Sequence, residues 1–483
     1  MASVLVAFES SLESWSRLLE DVGQSRGGTF VSRRLTTIRM SEETYNSLRQ
    51  HLVQSYPEED GAFAVIVEVP TSESQRVLGL RSLILPRNDE WMYKERDALT
   101  PTTDFINRAA VAAESLGVGL AFIHSHPDPR HPAGLSYVDE QSTRKLFLNL
   151  KSVLGDVPLA SLVFTPKGFA GVVSRDGKSE PVRSLRILGT RIDEILASDQ
   201  RKTRRNQKFN PDRFHDRQIL AFGQEGQARI RESKIAVIGA GGTGSCILEQ
   251  LARLGAEHVW LIDDDELERS NISRIYGSTP SDIRKHTLKV DIVTKHLRKI
   301  SPQATITRLE SNVLDHDLVP LLNSMDVIFC CTDTESSRAR LNDIAYQGFV
   351  PVIDTGCRIH VSKGAVEGVL GRVRLLRPGL PCLWCTDTIN GTQILHESLS
   401  EEERSRLAAE GYGSGVGPKP SVIHLTSTVA SLAVNVFLSL VAGLGPPCRE
   451  PEVLVDLLVP EITRVVSQTK PNCRCQRIIT LPV

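Results

Sequence analysis

Two groups of residues in this chain have the types and spacing that chemistry needs. The first lies in GVGLAFIHSHPDPRHPAGLSYVDEQ, residues 117–141. His124 and His126 stand two apart at the end of an apolar run of strand length, so their side chains share one side. Asp139 follows, three residues after Ser136. Two imidazoles and a carboxylate leave the fourth position of a tetrahedral zinc open to water, the arrangement of a catalytic site. Zinc brings the pKa of that water to about 7, and a base must still take and return its proton. Glu58, in Pro57-Glu-Glu-Asp-Gly61, is the candidate base. Glu59 and Glu68 compete, and Glu58 is preferred because it alone stands three residues before Gly61. Ser136 can donate a hydrogen bond to the developing oxyanion.

The second group begins at KIAVIGAGGTGSC, residues 234–246, which reads as a strand, a glycine-rich turn and a helix start. Gly239, Gly241, Gly242 and Gly244 let the backbone approach phosphates and offer helix-terminal N–H groups to them. The next strand ends in Asp263, suited to a ribose hydroxyl. Up to this point a nicotinamide dinucleotide fits equally well. The downstream residues favour a triphosphate: Asp263-Asp-Asp265, then Asn271 and Arg274, then Lys289, then Asp333 after Cys331-Thr332. Converging cations, with an acid to hold magnesium, suit attack by a carboxylate on an α-phosphate. Arg274, Lys289 and the metal would neutralise the charge, and the product would be a carboxylate–AMP.

Each group carries a resemblance. Residues 31–195 resemble the JAMM (MPN-type) metalloproteases, which implies hydrolysis of peptide or isopeptide bonds after ubiquitin-like C-termini. It implies His124, His126 and Asp139 as zinc ligands, Glu58 as acid/base and Ser136 as the oxyanion-side serine. The gap from His126 to Ser136 is longer than that pattern and holds an extra histidine, His131. Residues 213–483 resemble the ThiF/MoeB and ubiquitin-activating enzyme superfamily. That implies Asp263 on the ribose, with Asp265 beside it, Asn271 and Arg274 on the phosphates, Lys289 on the α-phosphate and Asp333 on magnesium. Arg217 matches the arginine that reaches the ATP of a neighbouring subunit, which implies a homodimer. Cys382-Leu-Trp-Cys385 and Cys473-Arg-Cys475 resemble the two halves of a structural zinc site, the second with one intervening residue where two are usual.

The expected cofactors are therefore ATP, Mg2+ and two Zn2+, one catalytic and one structural. The expected partner is a small ubiquitin-like (β-grasp) protein, with a separate conjugating enzyme as a further candidate. Residues 386–422, where thioester-forming members carry their cysteine, contain none; Gly411–Gly417 occupies that neighbourhood. Cys357 is the best remaining nucleophile, although a small buried cysteine is the favoured reading of it. Cys246, Cys330 and Cys331 are expected in the core; Cys448 has no assigned role. This pattern favours adenylation without a conventional thioester step, as in sulfur-carrier activators. An alternative of another class is a partner-docking scaffold in which one domain is inactive.

The elements that must position these residues form two blocks. With 483 residues, two to four domains are expected. The first block is mixed α/β: a helix over 41–56 capped by Ser41, strands at 62–69, 119–123, 159–164 and 170–173, and a helix near 104–116. Residues 196–212 read as a basic interdomain linker. From residue 213 strands at 234–238, 258–263, 305–310, 327–331 and 350–354 alternate with helices, which predicts a Rossmann-like, mainly parallel sheet. The fold class is thus α/β, an MPN-type domain followed by an adenylation domain. A net charge of −1 gives no electrostatic footprint for nucleic acid or an anionic membrane. Residues 425–448, free of charge, are expected to be a buried core helix rather than a membrane span. Glu9, Glu13 and the lack of early Lys or Arg make the N-terminus a poor secretory signal. Nine cysteines, several of them closely spaced, then suit a reducing, cytoplasmic setting.

Overall fold

The computed structural model describes residues 36–72, 75–128, 134–175, 178–198, 213–409, 420–445 and 452–478. His131, residues 199–212 of the expected linker, Gly411–Gly417 and Cys448 lie outside the described residues.

The N-terminal lobe is built on strands β1 (Thr36–Ser41), β2 (Gly61–Val69), β3 (Arg76–Ile84), β4 (Trp91–Lys94), β5 (Leu99–Pro101), β6 (Gly119–Ser125), β7 (Leu159–Thr165), β8 (Gly168–Arg175), β9 (Lys178–Leu188) and β10 (Ile192–Leu196). Eight of them form one sheet in the order β1-β3-β2-β6-β7-β8-β9-β10, and β1 also pairs in parallel with β9, so the sheet curls back on itself. Helix α1 (Glu42–Gln54) starts where expected, with the Ser41 hydroxyl accepting from the Thr44 N–H at 3.2 Å. Strand β2 is buried on both faces, hence its unbroken apolar run. Ala62, Ala64 and Ile66 share a core with Leu48 and Leu52 of α1. Phe63, Val65 and Val67 pack with residues of α2 (Thr103–Glu114) and α3 (Tyr137–Leu154).

The second lobe carries α4 (Asp216–Glu232), β11 (Lys234–Ile238), α5 (Gly242–Leu254), β12 (His258–Ile262), α6 (Pro280–Arg284), α7 (Lys289–Ile300), β13 (Thr305–Leu309), α8 (Val319–Asn323), β14 (Val327–Cys330) and α9 (Glu335–Gln347). There follow β15 (Val352–Ser362), β16 (Ala365–Leu376), α10 (Gly391–Glu397), α11 (Glu401–Ala409), α12 (Ile423–Val441), β17 (Glu452–Asp456), β18 (Glu461–Val465) and α13 (Arg474–Ile478). The sheet order is β13-β12-β11-β14-β15-β16-β17-β18. Strands β11 to β15 pair in parallel as expected, whereas β15 to β18 are antiparallel. Four of the seven pairings are thus parallel, and the expected strands lie in that part, while the three antiparallel pairings of β15 to β18 were not foreseen. The cause is local: Lys363 and Gly364 both have positive φ and turn β15 directly into β16, with no crossover helix. Helix α12 is apolar and long enough to span a membrane, yet most of it is buried against α5, β15 and β16.

The lobes are not merely tethered. Arg39 Nη1 on β1 donates to the carbonyls of Asn323 (2.9 Å) and Gly348 (2.8 Å). On β3, Arg81 Nη1 donates to the Tyr346 carbonyl at 2.9 Å and Nη2 to that of Gln347. Arg186 pairs with Asp326 across the same boundary. Two buried guanidiniums thus serve the open C-terminal carbonyls of α9, the end of a helix that favours cations.

Candidate functional site

In the N-terminal lobe, β6 lies between β2 and β7, with His124 opposite Gly61 and Val163. The strand delivers His124 and His126 to one end of the sheet, where both are buried. Asp139 comes from the first turn of α3, locked by a reciprocal cap: the Ser136 hydroxyl accepts from the Asp139 N–H (3.1 Å) and Asp139 Oδ2 accepts from the Ser136 N–H (2.7 Å). His124 Nε2 is 3.2 Å from Asp139 Oδ1, and His126 Nε2 is 3.4 Å from Asp139 Oδ2. A tetrahedral zinc with bonds of about 2.05 Å sets its donors roughly 3.3 Å apart, so this triad fits the metal. Ser136 is exposed beside Asp139, and its hydroxyl proton is not consumed by the cap.

The structure sets Glu59, not the expected Glu58, beside the triad. Glu58 is exposed, whereas Glu59 is 6% exposed with Oε1 3.5 Å from His126 Nε2. Glu58 closes the turn after α1, its N–H on the Ser55 carbonyl (2.9 Å), whereas the Glu59 N–H bonds the Glu95 carbonyl (2.8 Å) and its side chain is buried. Spacing to Gly61 favoured Glu58, whereas burial favours Glu59. Burial pushes the Glu59 carboxyl up to about 7, with Asp139 and Asp97 adding to the rise against the opposing pull of His126. Glu68 is excluded, since it pairs with Arg76 and Arg175.

In the second lobe the glycine turn joins β11 to α5. Gly239 has φ of +100°, and a Cβ at Gly244 would lie 1.8 Å from the Gly239 carbonyl oxygen, so both positions require glycine. Gly241 caps α5 with no side-chain bond, leaving the helix N–H groups unclaimed by a cap, and a Cβ at Gly242 would meet Arg274 Cδ at 3.1 Å. Asp263, at the end of β12, accepts from the N–H groups of Ala240 (2.6 Å) and Asp265 (2.9 Å), and burial raises its carboxyl. Lys289 Nζ bonds Asp265 Oδ2 at 2.5 Å, and Arg274 Nη1 donates to the Ser270 carbonyl at 2.7 Å. Asn271 is buried, its amide held by the Ser270 hydroxyl at 3.1 Å. Asp333 is exposed two residues beyond Cys331, whose carbonyl abuts Gly239. Arg338, which the sequence did not single out, donates to the Thr332 (3.1 Å) and Thr355 (2.9 Å) carbonyls and pairs with buried Asp354. Arg217 is exposed on the first turn of α4.

The four paired cysteines converge. Sγ separations are 3.7 Å for Cys382–Cys385, 3.5 Å for Cys382–Cys473 and 3.7 Å for Cys385–Cys475. Thiolates on a tetrahedral zinc at about 2.3 Å stand roughly 3.8 Å apart, and a disulfide would need about 2.05 Å. The set fits zinc, and the single-residue spacing of Cys473 and Cys475 does not prevent closure. Cys246 and Cys330 are buried as expected and Cys331 half-buried. Cys357 is not the buried cysteine expected: it is exposed, with Sγ 3.9 Å from the Thr243 hydroxyl at the start of α5.

The ThiF family model matches residues 215–476, more than half of the sequence. The chain belongs to the ThiF family. Over 263 residues it is 24% identical to the molybdopterin-synthase adenylyltransferase of Escherichia coli strain K12, covering 54% of this chain and 94% of that protein. It is 29% identical over 175 residues to the sulfur carrier protein ThiS adenylyltransferase of Bacillus subtilis strain 168, covering 36% and 49%. It is 28% identical over 163 residues to the SAMP-activating enzyme E1 of Haloferax volcanii, covering 34% and 56%. The chain thus spans about half the length of the last two. E. coli MccB, solved with MccA-N7isoASN, aligns with a TM-score of 0.45 at 15% identity over 56% of this chain and 75% of that one. The second lobe is a ThiF-type adenylation domain. The match begins at residue 215, so the N-terminal lobe is read from its own geometry.

Proposed function

We propose that the chain adenylates the C-terminal carboxylate of a small ubiquitin-like or sulfur-carrier protein with ATP and magnesium, and that its N-terminal lobe is a zinc hydrolase acting on the same partner's tail. The observation that carries the first half is the glycine turn with Arg274 against it, inside the ThiF match. A carboxylate oxygen attacks the α-phosphorus, the bond to the bridging oxygen breaks, and pyrophosphate leaves. Lys289 and Arg274 neutralise the phosphate charge, Asn271 orients the phosphates, Asp263 and Asp265 hold the ribose side, and Asp333 would hold magnesium. Arg217 would act across a homodimer; Phe214 and Leu220, 61% and 89% exposed on either side of it, suit burial by a second copy.

For the N-terminal lobe, residues 31–195, the carrying observation is Glu59 beside the His124–His126–Asp139 triad. Zinc held by that triad would supply Lewis acidity toward water and the scissile carbonyl. Glu59 takes the water proton and returns it to the departing amine; Ser136 donates to the oxyanion. Exposed Tyr56 and Tyr137, close in the chain to Glu59 and Asp139, suit a protein substrate. So do exposed Val361, Val366, Leu370 and Leu454 on the antiparallel half of the second sheet. Cys382, Cys385, Cys473 and Cys475 would hold the structural zinc, and such thiols suit the reducing cytoplasm.

The test is the intact mass of a candidate β-grasp protein, in precursor and mature forms, after incubation with this protein, ATP and magnesium. Loss of residues beyond the terminal glycine and gain of AMP are expected; no AMP transfer to any tail with a free carboxylate refutes the reading. A second reading, activation for thiocarboxylate formation, is favoured by the lack of cysteine in residues 386–422. It predicts a sulfide-dependent mass gain, where conjugation by a separate enzyme predicts an amide-linked product. A docking scaffold with one dead domain predicts zinc at the cysteine set alone.

A further inference from the structure

Asp333 carries no partner of its own among the described hydrogen bonds, yet the backbone on each side of it is held. Before it, Arg338 fixes the Thr332 carbonyl. After it, Glu397, the last residue of α10, takes the first donors of α9. Oε1 accepts from the Glu335 N–H at 3.0 Å, and Oε2 accepts from the Ser336 N–H at 2.8 Å and the Ser336 hydroxyl at 2.6 Å. The link is reciprocal, because Glu335 Oε2 accepts from the Asn390 N–H at 2.5 Å and Asn390 in turn caps α10. Thr334, the residue after Asp333, is the cap of α9 and bonds Ser337. Four residues of chain around Asp333 are therefore fixed by groups from α9 and α10, while its carboxylate stays exposed.

We infer that Glu397 is a positioning residue for adenylation: its carboxylate, seated on the N-terminal N–H groups of α9, holds Asp333 where a magnesium-bound triphosphate would meet it. The inference rests on the adenylation reading. Its physical basis is twofold. Bonds from N–H groups to a carboxylate are stronger than neutral ones, and a helix N-terminus favours negative charge. A metal ligand preorganised by its backbone costs no rearrangement when the substrate arrives. Burial opposes ionisation of Glu397, but the donors from Ser336 and Glu335 outweigh it and hold the carboxyl below its ordinary range.

The experiment compares full-length wild type, Glu397→Ala and Glu397→Gln in ATP–pyrophosphate exchange with a carrier protein across a magnesium titration. Glu397→Ala is expected to lower kcat about tenfold and to raise the magnesium concentration at half-saturation several-fold, since misplacement of about 1 Å can cost far more. Glu397→Gln keeps one acceptor oxygen but turns an NH2 donor toward the other N–H group and loses the charge, so it is expected to fall between wild type and Glu397→Ala. Wild-type kcat and magnesium dependence in Glu397→Ala, or equal damage in both variants, overturns the inference. Hydrogen–deuterium exchange needs no activity and separates the two failures. Residues 330–337 must exchange faster in Glu397→Ala while α12 does not change. If they do not, the inference fails whether or not the wild type adenylates; if they do and the wild type is inert with every carrier, only the functional reading has failed.

Discussion

Glu59 Oε1 lies 3.5 Å from His126 Nε2, while the neighbouring Glu58 is in solvent. That one-residue difference decides which carboxylate could serve a zinc held by His124, His126 and Asp139. Glu59→Gln is expected to cut peptide or isopeptide hydrolysis by a factor of about 10²–10⁴, and Glu58→Ala to leave it near wild type. A fluorogenic carrier fusion reads both; loss of activity in Glu58→Ala alone would reverse the assignment. AMP transfer should survive either change.

The second lobe should fail independently. Lys289→Ala and Asp333→Ala are each expected to lower pyrophosphate exchange by about 10²–10³, the usual cost of removing a charge stabiliser. Hydrolysis measured on the same preparations should stay unchanged. Joint loss of both activities would mean a folding defect, which the thermal melt would reveal.

Zinc analysis should return about two metal ions per chain. Cys475→Ser should lose one and lower the Tm, because a closed thiolate set clips residues distant in sequence and its binding energy is folding energy. His124→Ala should lose the other with little change in Tm. A single zinc in wild type, retained in His124→Ala, would leave the N-terminal triad empty.

The His51–Asp60–Lys94 group makes stability depend on pH. A hydrogen bond to Asp60, 3.3 Å away, raises His51 above its ordinary 6.5, against the cost of burial. Burial opposes ionisation of Asp60, but bonds from His51, Lys94 and Ser55 hold it well below the carboxylate range. The native state keeps the imidazole proton that the unfolded chain gives up. The His51 contribution is therefore complete below pH 6.5 and fades as pH rises through the folded value. The Asp60 contribution is present above pH 3.8 and fades only in stronger acid. Thermal melts should show Tm falling as pH rises above 6.5, and His51→Gln should flatten that fall.

Arg81 is 5% exposed, stacks 4.5 Å from the Phe349 ring centre and serves the carbonyls of Tyr346 and Gln347. Burial alone brings its pKa down to about 9. Arg81→Met keeps the bulk and removes the donors. A loss of about 2–3 kcal/mol in denaturant melts is expected, because two buried carbonyls are left unserved. No loss would mean that water takes over those acceptors.

Much of this was legible in the sequence because the signal is local. The His-x-His pair, the capped Ser-x-x-Asp and the glycine turn each span a few residues, and the strands that present them are apolar runs buried on both faces. What escaped was long-range. Nothing local marks Glu59 over Glu58, since the bond that holds its N–H comes from Glu95. Cys357 follows a buried stretch of β15, but the strand runs on past the core and brings the thiol to the surface. Strands β16 to β18 alternate only weakly, being open on part of one face. Arg39, Arg81 and Glu397 read as ordinary surface charges until the helix ends they serve are known.

The guanidiniums of Arg39 and Arg81 have a practical consequence for anyone wishing to test the two proposed activities separately. Severing the chain between residues 198 and 213 would strip the last carbonyls of α9 of their donors and bare two arginines now buried against the second lobe. Each half would carry a sticky, unsatisfied scar, and its loss of activity would report on that scar rather than on its own site. Dissection by point substitution, with both halves left joined, is the course the molecule allows.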